Sequence, residues 1–505
     1  MALIIYCAGV LFCIFSEHPT GNEAWFSNPA IDLMVRHRMG TPVLDAAGSG
    51  LTGIGQHTYW TMPLYTLAEV PWYLLFGYTV VSQRLLSMIC GLGVLWCVYR
   101  LASRLSTAWA AVLSVVLVSC DWMFIRQAAD GRMDMLCALL GFGGLAIYVS
   151  LRDGSFRRAI FLSNLAAAAS CMTHPCGMYA TTGLWATTLY LDRKRLSWSD
   201  VGVAAIPYCV AALSWAAYIS RAPADFAAQM RWNVKGVQAY LGGRDRTTAL
   251  NPLKAFRAEV QLRYFDHYHS HVIPIIYLLG TAALVLLAWR SRRRDHIVFG
   301  GLALLFFLEM MWLEGLKGDG YLVHSVPVLA MALAVGLCSV WLRSKRLTLA
   351  FVVVVAGVLV SRQAATAHWF GNGAASSRDY FSVVDFVAAH HAPHEELIGS
   401  AELGYKLGFK NGLTEDWRIG YVSRKSPRLI VIGKQWRMWL KNPKDKDPDF
   451  SKFVDHRLNV EYAPVLENAT YTVYERRDLM EPIAAPPDSG HGSLVKMFLD
   501  LRPQS

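Results

Sequence analysis

Apolar runs of about 15 to 22 residues recur as far as residue 361, long enough or nearly so to cross about 30 Å of hydrocarbon as α-helices. The pattern predicts spans at 2–16, 79–100, 106–121, 133–151, 158–173, 176–191, 200–220, 271–289, 296–313, 321–341 and 347–361. A transmembrane β-barrel would show short alternating segments, and these are absent. The expected fold class is a polytopic α-helical membrane protein of about eleven helices. Two polar interruptions are longer than a connection needs. In 17–78, "AIDLMVRHRMG" reads as a short amphipathic helix. There too, "HTYWTMPLYTLAEVPWYLLFG", aromatic-rich and broken by Pro63 and Pro71, suits a segment lying in the membrane interface. Residues 221–270 are amphipathic, with Trp232, Tyr240 and Tyr264 among Arg and Lys.

Past residue 361 the pattern changes. Tyr380, Val383, Val384 and Val387 fall at i, i+3, i+4 and i+7, an amphipathic helix. "ELIGS", "RLIVIG" and "ATYTVYER" predict short strands, and "SAELGYKLGF" a further helix. The expected organisation is a transmembrane domain over 1–361, a small α/β domain over 362–485, and a flexible Pro/Gly/Ser-rich tail over 486–505. No internal repeat is visible, which weighs against a transporter built from duplicated halves.

Composition agrees with a membrane protein: 54% of the 505 residues are hydrophobic and 17% charged. The net charge of +11 does not point to nucleic acid, because the basic residues form short clusters between spans. Arg100 with Arg104, Arg152 with Arg157 and Arg158, Arg193 to Arg195, Arg290 with Arg292 to Arg294, and Arg343 with Lys345 and Arg346 all occupy connections of one parity. Cytoplasmic loops carry such clusters. The expected location is a bacterial inner membrane, with the N-terminus cytoplasmic and the C-terminal domain periplasmic. The ten cysteines, Cys7, Cys90, Cys137 and Cys338 among them, lie in or beside apolar runs, which suits small buried hydrophobes and no disulfide framework. Residues 1–16 lack a basic n-region and a small-residue cleavage site, so they read as a retained first helix.

Candidate chemistry gathers on the predicted outer side. "FSEHPTGNEAWFSNP", residues 15–29, hands an uncharged run over to Glu17, His18, Asn22 and Glu23 among aromatics. Glu23 reads either as a solvated interfacial carboxylate or as part of a site at a helix mouth. "RQAADGRMDML", residues 126–136, crowds Arg126, Asp130, Arg132 and Asp134 into one connection. Asp134 falls inside an apolar pattern, where an ionisable group is costly and signals function or a structural pair with arginine. "DHYHSH" offers His267, His269 and His271 as metal ligands if the chain is extended, although i and i+2 point apart on a helix. His57 and His174 lie on the same side. In "EGLKGDGYLVHSVP", Lys317 suits a lipid phosphate as a point charge, or is a snorkelling lysine. No Walker or GxGxxG motif offers a cytoplasmic nucleotide site. These features suit an enzyme drawing an anionic lipid-linked substrate from the outer leaflet.

In their order along residues 15–340, these features resemble the C-type glycosyltransferase superfamily. The likeness is to its family 39-like membrane enzymes, which include protein O-mannosyltransferases and bacterial aminoarabinose transferases acting on lipid A. The stretches that carry the likeness are "NEAWFSNPAIDLM", "HTYWTMPLY", "LFGYTVVSQRLLSMICG", "RQAADGRMDML" and "KGDGYLVHSVP". The resemblance implies transfer of a sugar from a polyprenyl-phosphate donor to a lipid, glycan or protein acceptor, with an acid in the first outer loop as general base. It makes Glu23, Asp134 and Asp130 the catalytic candidates, and Asn22, His57, Arg126, Arg132, His174, Lys317 and Tyr321 the substrate-binding ones. Some members use a divalent metal ion, for which His267 and His269 are the ligands on offer. The family's usual Asp-Glu pair is here Asn22-Glu23, and an amide cannot take the proton. The role then falls to Glu23, Asp134 or Asp130. The rival readings are a transporter or flippase of a lipid-linked saccharide, and an inactive glycan-binding scaffold.

Overall fold

The computed structural model describes residues 1–240, 251–268, 271–313, 317–341, 344–392, 395–409, 412–441 and 447–480. His269, Arg343 and the proposed tail, 486–505, lie outside them. Every predicted span falls on a helix: α1 (Ala2–Ser16), α5 (Val80–Leu105), α6 (Ala108–Ser119), α8 (Met133–Leu151), α9 (Phe156–Thr173), α10 (Gly177–Asp192), α11 (Trp198–Ile219), α14 (Val272–Ser291), α15 (Arg294–Leu313), α16 (Leu322–Trp341) and α17 (Lys345–His390). Among the described residues, six helices are long and apolar enough to cross a membrane. Two more candidates are bent pairs: α1 meets α2 (Gly21–Arg36) at 90°, and α6 meets α7 (Trp122–Ala128) at 67°.

Two local readings of the first long segment change. The amphipathic helix expected at "AIDLMVRHRMG" begins a full turn and more earlier, as α2. A short helix α3 (Ala46–Ser49) follows, and then α4 (Pro63–Phe76). Pro63 stands at the start of α4, where its missing N–H costs nothing, and Pro71 lies inside the helix without ending it. The amphipathic segment before residue 270 folds as α12 (Pro223–Tyr240), α13 (Pro252–Ala258) and a π-helical turn over Glu259–Asp266.

The helix α17 carries the last apolar run on without interruption to His390, and its end bears Tyr380, Val383, Val384 and Val387, all buried. They pack on a five-stranded sheet of order β2-β1-β3-β5-β4. The strands are β1 (Leu397–Gly399), β2 (Leu413–Thr414), β3 (Leu429–Gly433), β4 (Tyr462–Glu467) and β5 (Tyr471–Arg476). Parallel pairing joins β2, β1 and β3, while β5 runs antiparallel to β3 and β4. Along β3, Leu429 and Val431 face α17, whereas Ile430 and Ile432 face α19 (Lys434–Lys441) and α20 (Pro448–His456). Burial on both faces explains why "RLIVIG" is a continuous apolar run and not an alternating one. The helix expected at "SAELGYKLGF" is only a 3-10 turn over Ala401–Leu403 and one turn of helix, α18 (Gly404–Leu407).

The sheet domain sits on the bundle through specific contacts. Trp25 Nε1 donates to Glu415 Oε2 at 3.0 Å, Tyr405 Oη to Gln83 Oε1 at 2.5 Å, and Lys425 Nζ pairs with Asp45 Oδ2 at 2.7 Å. Val43, Leu44, Leu51 and Ile54 join its apolar core. The mouth of the bundle, where the candidate residues cluster, therefore lies beneath this domain.

Candidate active site at the mouth of the bundle

The quoted stretch after α1 is a helix start. Thr20 caps α2: its Oγ1 accepts from the Glu23 N–H, and the Glu23 carboxylate accepts from the Thr20 N–H at 2.8 Å. This is a capping box, spelled T-G-N-E. Arg84, near the start of α5, reaches the same carboxylate, with Nε 2.6 Å from Oε1 and Nη2 2.8 Å from Oε2. The Gly131 N–H adds a contact to Oε1 at 3.0 Å. Arg84 gives its remaining protons to the carbonyls of Ile14, Glu17 and His18. Gln83 donates to the carbonyls of Glu23 and Gly131 and links both to Tyr405 of the sheet domain. The Glu23 and Arg84 side chains are 0% and 2% exposed. Removing one partner of such a pair strands a buried charge, at about 3–5 kcal/mol.

The next loop holds the opposite case. Asp130, half-buried between α7 and α8, has an Oδ1 with no hydrogen-bond partner among the described residues. Burial, and after it the charge of Glu23, push its carboxyl above the usual carboxylate range, against the pull of Arg132 and Arg84. Arg132 Nε donates to Asp134 Oδ2 at 2.9 Å, and its guanidinium lies 5.3 Å from the centre of the Phe26 ring. The Asp134 Oδ1 is also buried without a hydrogen-bond partner among the described residues. A Cβ at Gly320 would sit 3.3 Å from Arg132 Nη2, so a side chain there would crowd the guanidinium. From that same turn Asp319 pairs with Arg126 at 3.1 Å, and these two side chains remain 29% and 36% exposed. Tyr321 follows, its ring 5.3 Å from that of His174. Asp130, Asp134, Arg126, Arg132, His174 and Tyr321, distant in sequence, thus meet at the α7–α8 loop and the turn before α16. The cluster can accept a proton on Asp130 and offers guanidinium groups to an anion.

No family model matches the chain, and no curated protein matches it in sequence. Solved structures do. ArnT from Cupriavidus metallidurans, bound to undecaprenyl phosphate, superposes with a TM-score of 0.61 at 15% identity, over 95% of this chain and 99% of that one. The archaeal oligosaccharyltransferase AglB from Archaeoglobus fulgidus, in complex with an inhibitory peptide and a dolichol-phosphate, superposes with a TM-score of 0.53 at 12% identity, over 91% and 69%. The chain has the C-type glycosyltransferase fold. A further structure of the Archaeoglobus fulgidus oligosaccharyltransferase, with Zn and sulfate, superposes at a TM-score of 0.52 and 12% identity, over 81% of this chain and 61% of that one.

Within this glycosyltransferase fold, several sequence-based assignments change. Glu23 is not placed as a general base, because donors occupy both its oxygens and no solvent reaches it. Lys317 is not placed to hold a lipid phosphate. It is a non-glycine residue at φ 55°, and the turn sends Nζ inward, to the carbonyls of Met310 and Met311 and to within 2.8 Å of Glu259 Oε2. Glu259 in turn pairs with Arg263 at 2.6 Å. Asn22 is exposed on the helix beside buried Glu23. His57 lies away from the cluster, stacked at 5.7 Å on Tyr59 with Nδ1 3.6 Å from Asp225.

Among the described residues no three His, Cys, Asp or Glu side chains converge to hold a divalent metal. His267 Nε2 lies 3.0 Å from the Lys317 carbonyl, which accounts for it as a hydrogen-bonding group. The residue of the mouth that sequence reasoning missed is Arg84. It is an arginine inside an apolar span, and the rule that drew attention to Asp134 applies to it equally.

Proposed function

We propose that this chain is a membrane glycosyltransferase that moves a sugar from a polyprenyl-phosphate donor to a hydroxyl acceptor on the periplasmic face. Asp130 is the general base, with Asp134 and Arg132 shaping the site. The acceptor hydroxyl attacks the anomeric carbon and gives its proton to Asp130. The bond from that carbon to the phosphate oxygen breaks, and the lipid phosphate leaves with the electron pair. Arg126 and Arg132 meet the charge growing on it, the kind of stabilisation that dominates many group transfers. Arg126 suits this role because its partner among the described residues, Asp319, is partly exposed, and a phosphate can displace it.

The observation that carries the reading is Asp130, with a buried oxygen lacking a partner among the described residues, beside Arg132 at the mouth of this fold. The neighbours support the donor class, since ArnT was solved with undecaprenyl phosphate and AglB with a dolichol-phosphate. The basic clusters between spans support the orientation. The test is purified protein in lipid discs, given a panel of radiolabelled undecaprenyl-phosphate sugars and envelope extracts as acceptors. Labelled acceptor should form with one donor and vanish in Asp130→Asn. Hydrolysis-free, transfer-free incubation with every donor, while the lipid is moved across the bilayer, would replace the transferase with a flippase.

A further inference from the structure

The turn that carries Asp130 is held from outside on both of its peptides. Residues 130–132 close on themselves, the Arg132 N–H donating to the Asp130 carbonyl at 2.8 Å, with Gly131 at the centre. Asp130 and Arg132 stand at the two ends, so the peptides flanking Gly131 set how carboxylate and guanidinium face one another. The peptide before Gly131 is fixed through its N–H, which donates to Glu23 Oε1 at 3.0 Å. The peptide after it is fixed through its carbonyl, which accepts from Gln83 Nε2 at 2.6 Å. A Cβ at Gly131 would lie 2.8 Å from Gln83 Cδ, so glycine lets the amide close on the turn.

Gln83 is 0% exposed, and its amide is fully committed. Both Nε2 protons go to carbonyls, that of Gly131 and, at 3.2 Å, that of Glu23. Turned over, the amide would set its oxygen against those two carbonyl oxygens. Its Oε1 accepts from Tyr405 Oη at 2.5 Å, and this tyrosine belongs to α18 of the sheet domain. The Tyr405 ring is held separately, stacked at 5.6 Å on Tyr78 and edge-on at 5.6 Å to Phe409. The hydroxyl can therefore be removed while the packing stays.

We propose that Tyr405 is a positioning residue for the transfer: through Gln83, its hydroxyl fixes the peptide between Asp130 and Arg132. The sheet domain then completes the site that it covers. The role in transfer rests on the reading of Asp130 as the base, whereas the link from Tyr405 to the turn does not.

The test is Tyr405→Phe in the full chain, in lipid discs, with two readouts. Hydrogen–deuterium exchange followed by mass spectrometry needs no turnover. Peptides over 129–134 should exchange about 2- to 10-fold faster, the share of one hydrogen bond, while peptides around Arg157 at the far end of the bundle stay unchanged. In turnover, kcat should fall by a similar factor with the donor KM unchanged. The double variant with Gln83→Met should be no slower than Gln83→Met alone, because both act through one contact. Unchanged exchange over 129–134 overturns the link. Faster exchange throughout the chain with a lowered Tm, or a loss in kcat that adds in full to that of Gln83→Met, overturns the positioning role. Faster exchange confined to the turn, with kcat untouched in an active enzyme, overturns it too. The same confined change in a protein that transfers no sugar from any donor would keep the link and remove the transferase reading instead.

Discussion

Two acid–arginine centres meet at the mouth of the bundle, joined through the Gly131 N–H, and they have been built to opposite ends. At the first, Glu23 and Arg84 exhaust one another and the surrounding backbone: every carboxylate oxygen has its donors and every guanidinium proton its carbonyl or carboxylate. At the second, Asp130 and Asp134 each keep a buried oxygen without a partner among the described residues, and Arg126 stays accessible in a loose pair with Asp319. Saturation makes a joint. It fixes where α1, α2 and α5 meet and holds the 130s loop in place. Incomplete satisfaction is costly to folding and is tolerated where a substrate will finish the job.

The largest effect that separates the two centres is on turnover. Asp130→Asn should lower kcat by about 10²–10⁴, the usual share of a general base, while leaving thermal stability equal or slightly higher. Its carboxyl titrates above the ordinary range, and only the ionised form takes a proton. Activity should therefore rise with pH through a value above the normal aspartate range, and a profile already flat at pH 5 would remove Asp130 from the role. Glu23→Gln should do the reverse, costing about 3–5 kcal/mol in unfolding measurements because Arg84 is left with an uncompensated buried charge. A stable Glu23→Gln protein with normal folding and no turnover would return the base to Glu23 and collapse the distinction drawn here.

A smaller effect sharpens the contrast between cations. Arg126→Ala should raise the donor KM by about 10- to 150-fold, the worth of one charge-assisted contact, without loss of stability. Lys317→Ala should instead lower stability and expression, because it opens the buried pair with Glu259. Donor kinetics that respond to Lys317 and ignore Arg126 would reverse these assignments.

How much of this was legible in the sequence follows from what each signal depends on. Apolar length and the basic clusters are local, so each predicted span falls on a helix. The strands at "RLIVIG" and "ATYTVYER" were legible for the same reason. β2 was missed because it is only two residues long and paired with a distant strand, and β4 because Pro464 interrupts its pattern and it lies at the sheet edge. Pro71 misled, since helix breaking by proline is a tendency that packing overrides. At the mouth the residues were legible but their roles were not. "TGNE" contains its capping box in plain view, yet the carboxylate's fate depends on Arg84, some sixty residues on. Lys317 reads as a surface cation until the turn's backbone sends it inward. Spacing identifies which groups are present at a surface, and only the fold decides which of them are already satisfied.

The smallest expected effect tests the boundary between the two centres. Asn22 stands one residue from Glu23 on α2, where the resemblance drawn from the sequence would have an acid. Adjacent helical side chains point about 100° apart, and here one is exposed while the other is sealed. Asn22→Asp places a negative charge in the first turn of α2, where the helix dipole favours it by about 0.3–1 kcal/mol at low ionic strength. A small rise in Tm that disappears in high salt is expected, with kcat unchanged. The informative experiment is the pair with Asp130→Asn. If the acceptor hydroxyl sits against the α7–α8 loop, a carboxylate at residue 22 cannot reach it, and the double variant stays as slow as Asp130→Asn alone. Recovery of even tenfold in turnover would mean that the exposed face of α2 also looks onto the acceptor. The mouth would then be one continuous acidic site with its first acid replaced, and the saturated joint would be its wall and not its neighbour.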